Sequence, residues 1–518
     1  MQSRRYLLAL FAASVFAAGC RQDMHDTPRY EAFEASATFS DNRASRNLPA
    51  GTVARGWERA DDALYTGKVN GQFVDEFPFH VGADELARGQ QRFNIYCTPC
   101  HGRVGDGNGM VVQRGLRQAA SYHQDRLRQE KNGYFPLPGM KQFGMIAGVL
   151  GVVLAVAGYF MSGLDRFYMA YLVAYTFWMG VVLGSMALLM VQHLTGGVWG
   201  IILRRPFEAA VRTLPAMTVL FLPIVFGMHS LYEWATPEGA ADPVIQSKAL
   251  YLNTPFFLGR QAFYFIVWNA IGFLLTKWSA EHDKTGDPAL LDKISRLSGA
   301  GLLIYGLTIT FAMVDWTMSV NPHWFSTIWG MLYVGGQGLS AFAFGICVLI
   351  MLAQTAPLNR VLTNHHFHDL GKFLFAFLML WAYLSFSQFL IIWSANLPEE
   401  IPHYLDRWEN SYKFLSIFIV VGHFIVPYTL LLSRDIKRSI GRLRVIATWI
   451  LCARVADYYW HVAPELHKGG LSVSLLDVAL PLAIGGVFIS LFVSQLDGRS
   501  LLPVNDPALD KALHHHVH

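Results

Sequence analysis

From Phe143 to Leu496 the chain runs in apolar stretches of about twenty residues separated by short polar ones, the length a helix needs to cross a bilayer core. Ten spanning helices are predicted, at 143–161, 167–191, 213–229, 256–276, 299–319, 325–353, 373–395, 413–432, 445–463 and 475–496. Their glycines, among them Gly148, Gly151, Gly184, Gly335, Gly336 and Gly338, suit close helix contact in lipid. Pro215 and Pro223 predict a kink in the third span and Pro427 one in the eighth. Ahead of the spans, residues 20–85 are polar and weakly periodic, as an extended arm is, and a compact segment follows at 86–135. The expected fold class is all-α, a polytopic transmembrane bundle of about ten spans (140–498) with a tail at 499–518.

Composition agrees: 53% of residues are hydrophobic and only 15% charged, a balance foreign to a water-soluble globule of 518 residues. A formal charge of +4 and the lack of basic stretches with interleaved aromatics exclude a nucleic-acid partner and leave membrane lipid. Lys and Arg are unevenly placed. Loops after odd spans hold only Arg166, Lys248, Arg260, Arg407, Lys413 and Lys468, whereas those after even spans hold more than twice as many, including Arg204, Arg205, Arg434, Lys437 and Arg438. The even side is therefore expected in the cytoplasm.

The N-terminus reads as an export signal, with Arg4 and Arg5, an apolar core to Ala18, and Ala17-Ala18-Gly19 before Cys20. A signal at 1–19 with lipidation of Cys20 is expected, an ordinary secretory signal or an uncleaved anchor being the alternatives. Export puts residues 20–135 on the outer side, but an even-side-in bundle starts the first span inside. Either the first span is not a simple crossing, or the charge rule fails here, or, the favoured reading, two originally separate proteins are joined near Gly133–Met140.

Cys97-Thr98-Pro99-Cys100-His101 is the strongest chemical signal. Two thiols three positions apart, followed at once by histidine, fit thioether attachment of one covalent haem c with His101 as axial iron ligand. A redox CxxC or half a zinc site are the alternatives, but no second CxxC and no thioredoxin-like strand pattern accompany it. For the distal position Met140 follows a Pro-Gly turn, His123 is a further candidate, and Met110 reads as packing. Cys347 and Cys452, alone in apolar runs, read as buried thiols.

Ionisable residues at membrane depth are costly and point to function. Asp315 near the outer end of span five, His323 in the next loop and Glu399 after span seven are the candidates for quinol contact or proton transfer. His229, Glu233 and Glu400 also fall toward the outer side. Arg454, Asp457 and His461, spaced by three and four, share one helix face. The plainer reading makes Arg454–Asp457 a structural ion pair, His323 an interfacial residue and Glu399–Glu400 solvated carboxylates. Trp178, Trp268, Trp316, Trp324 and Trp393 suit aromatic belts or core.

The stretches Arg88-Gly89-Gln90, Phe93-Asn94-Ile95-Tyr96-Cys97, Cys100-His101-Gly102-Arg103 and Gly105–Met110 resemble the monohaem lipoprotein component of bacterial alternative complex III. The resemblance covers about 1–135 and breaks off before that family's C-terminal helix and methionine loop. His193–Gly197, Val314–Ser319, Pro322–Thr327 and Asn396–Pro402 resemble an integral membrane component of the same complex, a ten-helix protein related to polysulfide-reductase-type quinol-binding membrane proteins, across 140–518. The resemblance implies a truncated class I cytochrome c-like segment at 86–135 ahead of the bundle. It further implies part of a quinol:electron-acceptor oxidoreductase in the bacterial inner membrane, not a self-contained enzyme, with the haem on the periplasmic side. Implied partners are a multihaem cytochrome, iron–sulfur and quinol-binding membrane subunits, and a terminal oxidase, with quinol or quinone as the second ligand. The alternative expectation is a proton- or ion-conducting subunit or scaffold bearing a non-functional cytochrome remnant.

Overall fold

A computed structural model describes residues 81–115, 119, 138–353, 358, 362–497, 499–503 and 505–509, with 36–37, 63–64, 68–69, 72–73 and 79. Cys20, His123 and most of the arm lie outside the described residues. The chain divides into two units, 1–92 and 93–518. In the first, β1 (Lys68–Val69) and β2 (Gln72–Phe73) pair antiparallel with Lys68 opposite Phe73. Among its described residues the one long element is α1 (Ala83–Arg92), whose first turn carries Asp84 and Glu85, the sign a helix N-terminus favours.

The second unit opens with a π-helical turn, Phe93–Cys97, then α2 (Thr98–His101) and α3 (Met110–Gln113). Of the expected cytochrome-like segment, the described residues comprise these short elements and α1. The membrane domain follows: α4 (Pro138–Ser162), α5 (Leu164–Thr195), α6 (Val198–Val211), α7 (Leu214–Val219), α8 (Leu222–Phe226), α9 (Thr254–Thr285), α10 (Pro288–Met313), α11 (Trp329–Leu352), α12 (Asn364–Ala395), α13 (Pro402–Glu409), α14 (Tyr412–Phe418), α15 (Val426–Leu432), α16 (Ile440–Leu466) and α17 (Leu476–Leu496). Among the described residues nine helices are long and apolar enough to cross a membrane, which makes this a multi-pass membrane protein. The remaining expected span, 445–463, lies within α16, 27 residues long, whose Arg442, Arg444, Arg454, Asp457 and Glu465 keep it out of that set.

The third span differs from expectation. It runs Trp199–Phe226 rather than 213–229, because Arg204 and Arg205, which read as loop charges, are buried in α6 together with Glu208. Pro215 and Pro223 break it into α6, α7 and α8, and neighbouring hydroxyls take the exposed carbonyls. Tyr171 donates to Leu220 O (2.7 Å) and Tyr175 to Met217 O (3.1 Å). A broken helix persists in lipid only with such replacements.

Two four-span bundles result. The first joins α5, α6–α8, α9 and α10; the second joins α11, α12, α14–α15 and α16; α5 and α11 meet between them. Helix α4 leans on α17, backbone to backbone: a Cβ on Gly486 falls 2.2 Å from Gly148 N and one on Gly151 falls 2.4 Å from Ala483 N. The opposite face of α4, with Phe143, Ile146, Val149, Val153 and Phe160 exposed, is left to lipid. Cys452 is exposed and Cys347 half-buried, correcting the expectation of two buried thiols; Cys452 sits on the outward side of α16.

Candidate functional site

The Cys97–His101 motif occupies one helical turn, the π-turn ending on Cys97 and α2 ending on His101. The loop behind it is drawn tight: Gly107 N donates to His101 O (2.8 Å), Gly109 N to Cys100 O (3.1 Å), and Asn108 N to the Asp106 carboxylate (3.0 Å). Gly109 is needed, since a Cβ there would lie 2.3 Å from Pro99 O. Both thiols are free, Cys100 exposed and Cys97 and His101 half-buried. Ile95, Tyr96, Val104 and Met110 around them are exposed apolar side chains. Two thiols and an imidazole on one turn, amid uncovered apolar surface, fit a covalently held porphyrin. The Gly109 N to Cys100 O bond brings Met110, the first residue of α3, next to the motif turn. Met140 stands in the first turn of α4, half-buried and packed on the membrane core.

Asp315 lies in a second π-helical segment, Val314–Met318, at the odd-side end of α10, and is fully buried. Arg260 of α9 grips it with two bonds, Nη2 to Oδ1 (2.8 Å) and Nε to Oδ2 (3.0 Å). Gln261 (3.0 Å) and Tyr264 (3.1 Å) also donate to Oδ2. The guanidinium lies over the Tyr251 ring at 3.8 Å and the Phe256 ring at 4.4 Å. His323, in an exposed turn, stands 3.6 Å from Asp242. Glu399 is exposed in the turn after α12, and Glu400 accepts the Trp324 indole through its backbone carbonyl (3.1 Å). The structure therefore separates the three candidates: Asp315 is enclosed, while His323 and Glu399 face solvent.

Sequence reasoning found only part of the larger cluster, in the second bundle. Arg454, Asp457 and His461 share the buried face of α16 as expected, and Glu465 continues it toward the odd side. Arg454 is paired with Asp457, and Gly336 of α11 makes the room: a Cβ there would fall 2.1 Å from the guanidinium. His461 Nε2 stands 3.9 Å from Asp457 Oδ1. Glu465 receives Arg407 (2.9 Å) and Asn321 (2.8 Å), and His403 Nδ1 lies 3.3 Å away, close enough to feel the charge but poorly aligned for a hydrogen bond. His403 stacks on Trp324 with centroids 4.0 Å apart. A third π-helical segment, Ile419–Ile425, carries His423, wholly buried with its ring 4.0 Å from Trp381. Arg260, Arg407, His403, His423 and Glu465 were missed. The arginines read as loop cations, and α13 and the π-segment leave no mark in hydrophobic spacing.

At the even side Arg204 pairs with Asp506 of the tail (2.6 Å) and Arg205 with Glu208 (2.7 Å) and Asp283. Trp268, Trp316 and Trp324 are buried in the core, whereas Trp393 is exposed at the end of α12. Comparison with family models and with curated proteins finds no match for this chain.

Proposed function

We propose that this chain is a subunit of a membrane quinol-oxidising respiratory electron-transfer complex of the alternative complex III type, in a bacterial inner membrane with its odd face toward the periplasm. The observation that carries the reading is the thiol–thiol–imidazole turn at Cys97, Cys100 and His101, carried on a multi-pass helical domain. Haem c attached there supplies one-electron relay. The rest falls to the chain's own residues. Asp315, held by four donors, positions α9 against α10 rather than trading protons. His323 and Glu399, open to solvent, stand where quinol contact or proton release toward the outer phase is served. Asp457, His461 and Glu465 mark a protonatable line from bundle interior to odd face.

The missing redox centres belong to partners: a multihaem cytochrome, iron–sulfur and quinol-binding membrane subunits, and a terminal oxidase as acceptor. The buried line favours a second reading, a proton-conducting subunit or scaffold in which the cytochrome remnant is idle. A haem-stained denaturing gel of native membranes tests the first. Covalent haem near 58.1 kDa, abolished by Cys97→Ser with Cys100→Ser, supports it. An unstained band at that mass, with chain present by immunoblot, refutes it.

A further inference from the structure

The two bundles differ in how their buried polar groups are met. In the first, the interior is satisfied by protein. Trp268 Nε1 donates to Thr308 (2.9 Å), Trp316 Nε1 to Gln261 (2.7 Å), Tyr175 to Met217 O (3.1 Å), and Asp315 takes four bonds. The unpartnered atoms on its spans, on Gln192, His193, Arg204 and Arg205, gather at the even face, and Trp234 Nε1 and Tyr251 Oη lie in the loops at its odd end.

The second bundle is different. Among the described residues, Gln388 Nε2, His461 Nδ1 and both ring nitrogens of His423 have no protein partner, and Tyr333 Oη, Trp381 Nε1 and Tyr458 Oη, beside Thr317, Asp457 and Arg454, have none in full hydrogen-bonding geometry. All six side chains are at least nine-tenths buried. They come from every span of the bundle: α11, α12, the π-segment and α16. An imidazole needs a partner in any tautomer, since each nitrogen is a donor or an acceptor. Asp457 Oδ1 and His461 Nε2 stand 3.9 Å apart, too far for a direct bond but within reach of one bridging water. Arg454 to Glu465 climbs α16 by about 16 Å at 1.5 Å per residue, half the depth of a hydrocarbon core. Buried polar groups without protein partners in native folds are met by ordered water.

We infer that the second bundle holds a file of bound water, running from His423 at mid-membrane past Asp457 to His403 at the odd face, and that the first bundle has none in its interior. The site is one for water and hydronium. Its lining is a histidine at each end, a carboxylate between, and phenol, indole and amide donors along the wall. The inference stands whether or not porphyrin is attached at Cys97 and Cys100.

X-ray radiolytic footprinting of the full chain in lipid nanodiscs, read by mass spectrometry, tests it. The pulse makes hydroxyl radicals from bound water in place, so a buried side chain is oxidised only where water touches it. Trp381, Tyr333 and His423 are expected to be modified at least about tenfold faster than Trp268 and Tyr175, which are equally buried but protein-satisfied. Trp381 and His423 as inert as Trp268 overturns the inference; so does equal labelling of both bundles.

Discussion

The Arg260–Asp315 pair gives the sharpest test of how this membrane domain is held. Replacing Asp315 by Leu leaves a guanidinium buried with only Tyr251 O (3.0 Å) and two aromatic faces, and takes the acceptor from Gln261 and Tyr264. Breaking a buried pair from one side costs about 3–5 kcal/mol, because a bare charge stays in low dielectric. Arg260→Met should cost the same order by stranding the carboxylate. Removing both charges together should cost much less than the sum, since apolar side chains of similar volume often replace a buried pair at little cost. The coupling energy is then roughly 2 kcal/mol or more, well beyond the few tenths seen between independent sites. Unfolding in mixed micelles with rising dodecyl sulfate mole fraction, followed by tryptophan fluorescence and circular dichroism, measures all four corners of the cycle. Additive single costs, or an Asp315→Asn chain as stable as the parent, would refute the anchoring role.

Two further outcomes follow from the second bundle. His403 lies on α13, outside the spans, where burial first and then the Arg407 charge lower its pKa to about 4, against the opposing pull of Glu465. The unfolded chain takes that proton near 6.5, so between about 6.5 and 4 it binds more protons than the folded one. Stability should fall as pH drops through that window, by up to about 3 kcal/mol, and His403→Phe should flatten the profile of unfolding midpoint against pH. Identical slopes in parent and variant would refute this. In the assembled complex, Asp457→Asn should slow quinol oxidation by about tenfold or more if proton departure along α16 accompanies electron transfer. Turnover that persists while proton translocation falls selects the conducting reading, and no change in either refutes both.

The helices were legible because each buries apolar length, a local property of twenty consecutive residues. Pairing was not. Arg260 finds Asp315 and Arg407 finds Glu465 across 55 and 58 residues of chain, a relation that no periodicity carries. This changes the weight of the charge asymmetry. Of the six cations read on the odd side, Arg166, Arg260 and Arg407 are each bound to a carboxylate, Asp477, Asp315 and Glu465. Lys248 donates to Pro322 O, so few of the six remain as free loop charge. On the even side Arg204 and Arg205 are also paired, but Arg434, Arg442 and Arg444 have no carboxylate partner among the described ion pairs. The excess of cations on the even face is steeper in space than in sequence.

The three π-helical segments among the described residues extend that argument from topology to chemistry. Each adds a residue to a helical turn, which turns the following side chains out of the register that apolar spacing dictates. One ends on Cys97, one holds Asp315 and one holds His423. A strictly α-helical register at 314–318 would swing Asp315 by about 100° away from Arg260, and the same shift at 419–425 would turn His423 off Trp381. Residues with poor reasons to be in a membrane are therefore held there by local departures from the very periodicity that marks the spans. For that reason hydrophobic patterning finds the bundle and passes over His423. Deleting one residue from the segment around His423 should restore an α-register at the cost of the polar cluster, leaving the fold's outline and removing its interior chemistry.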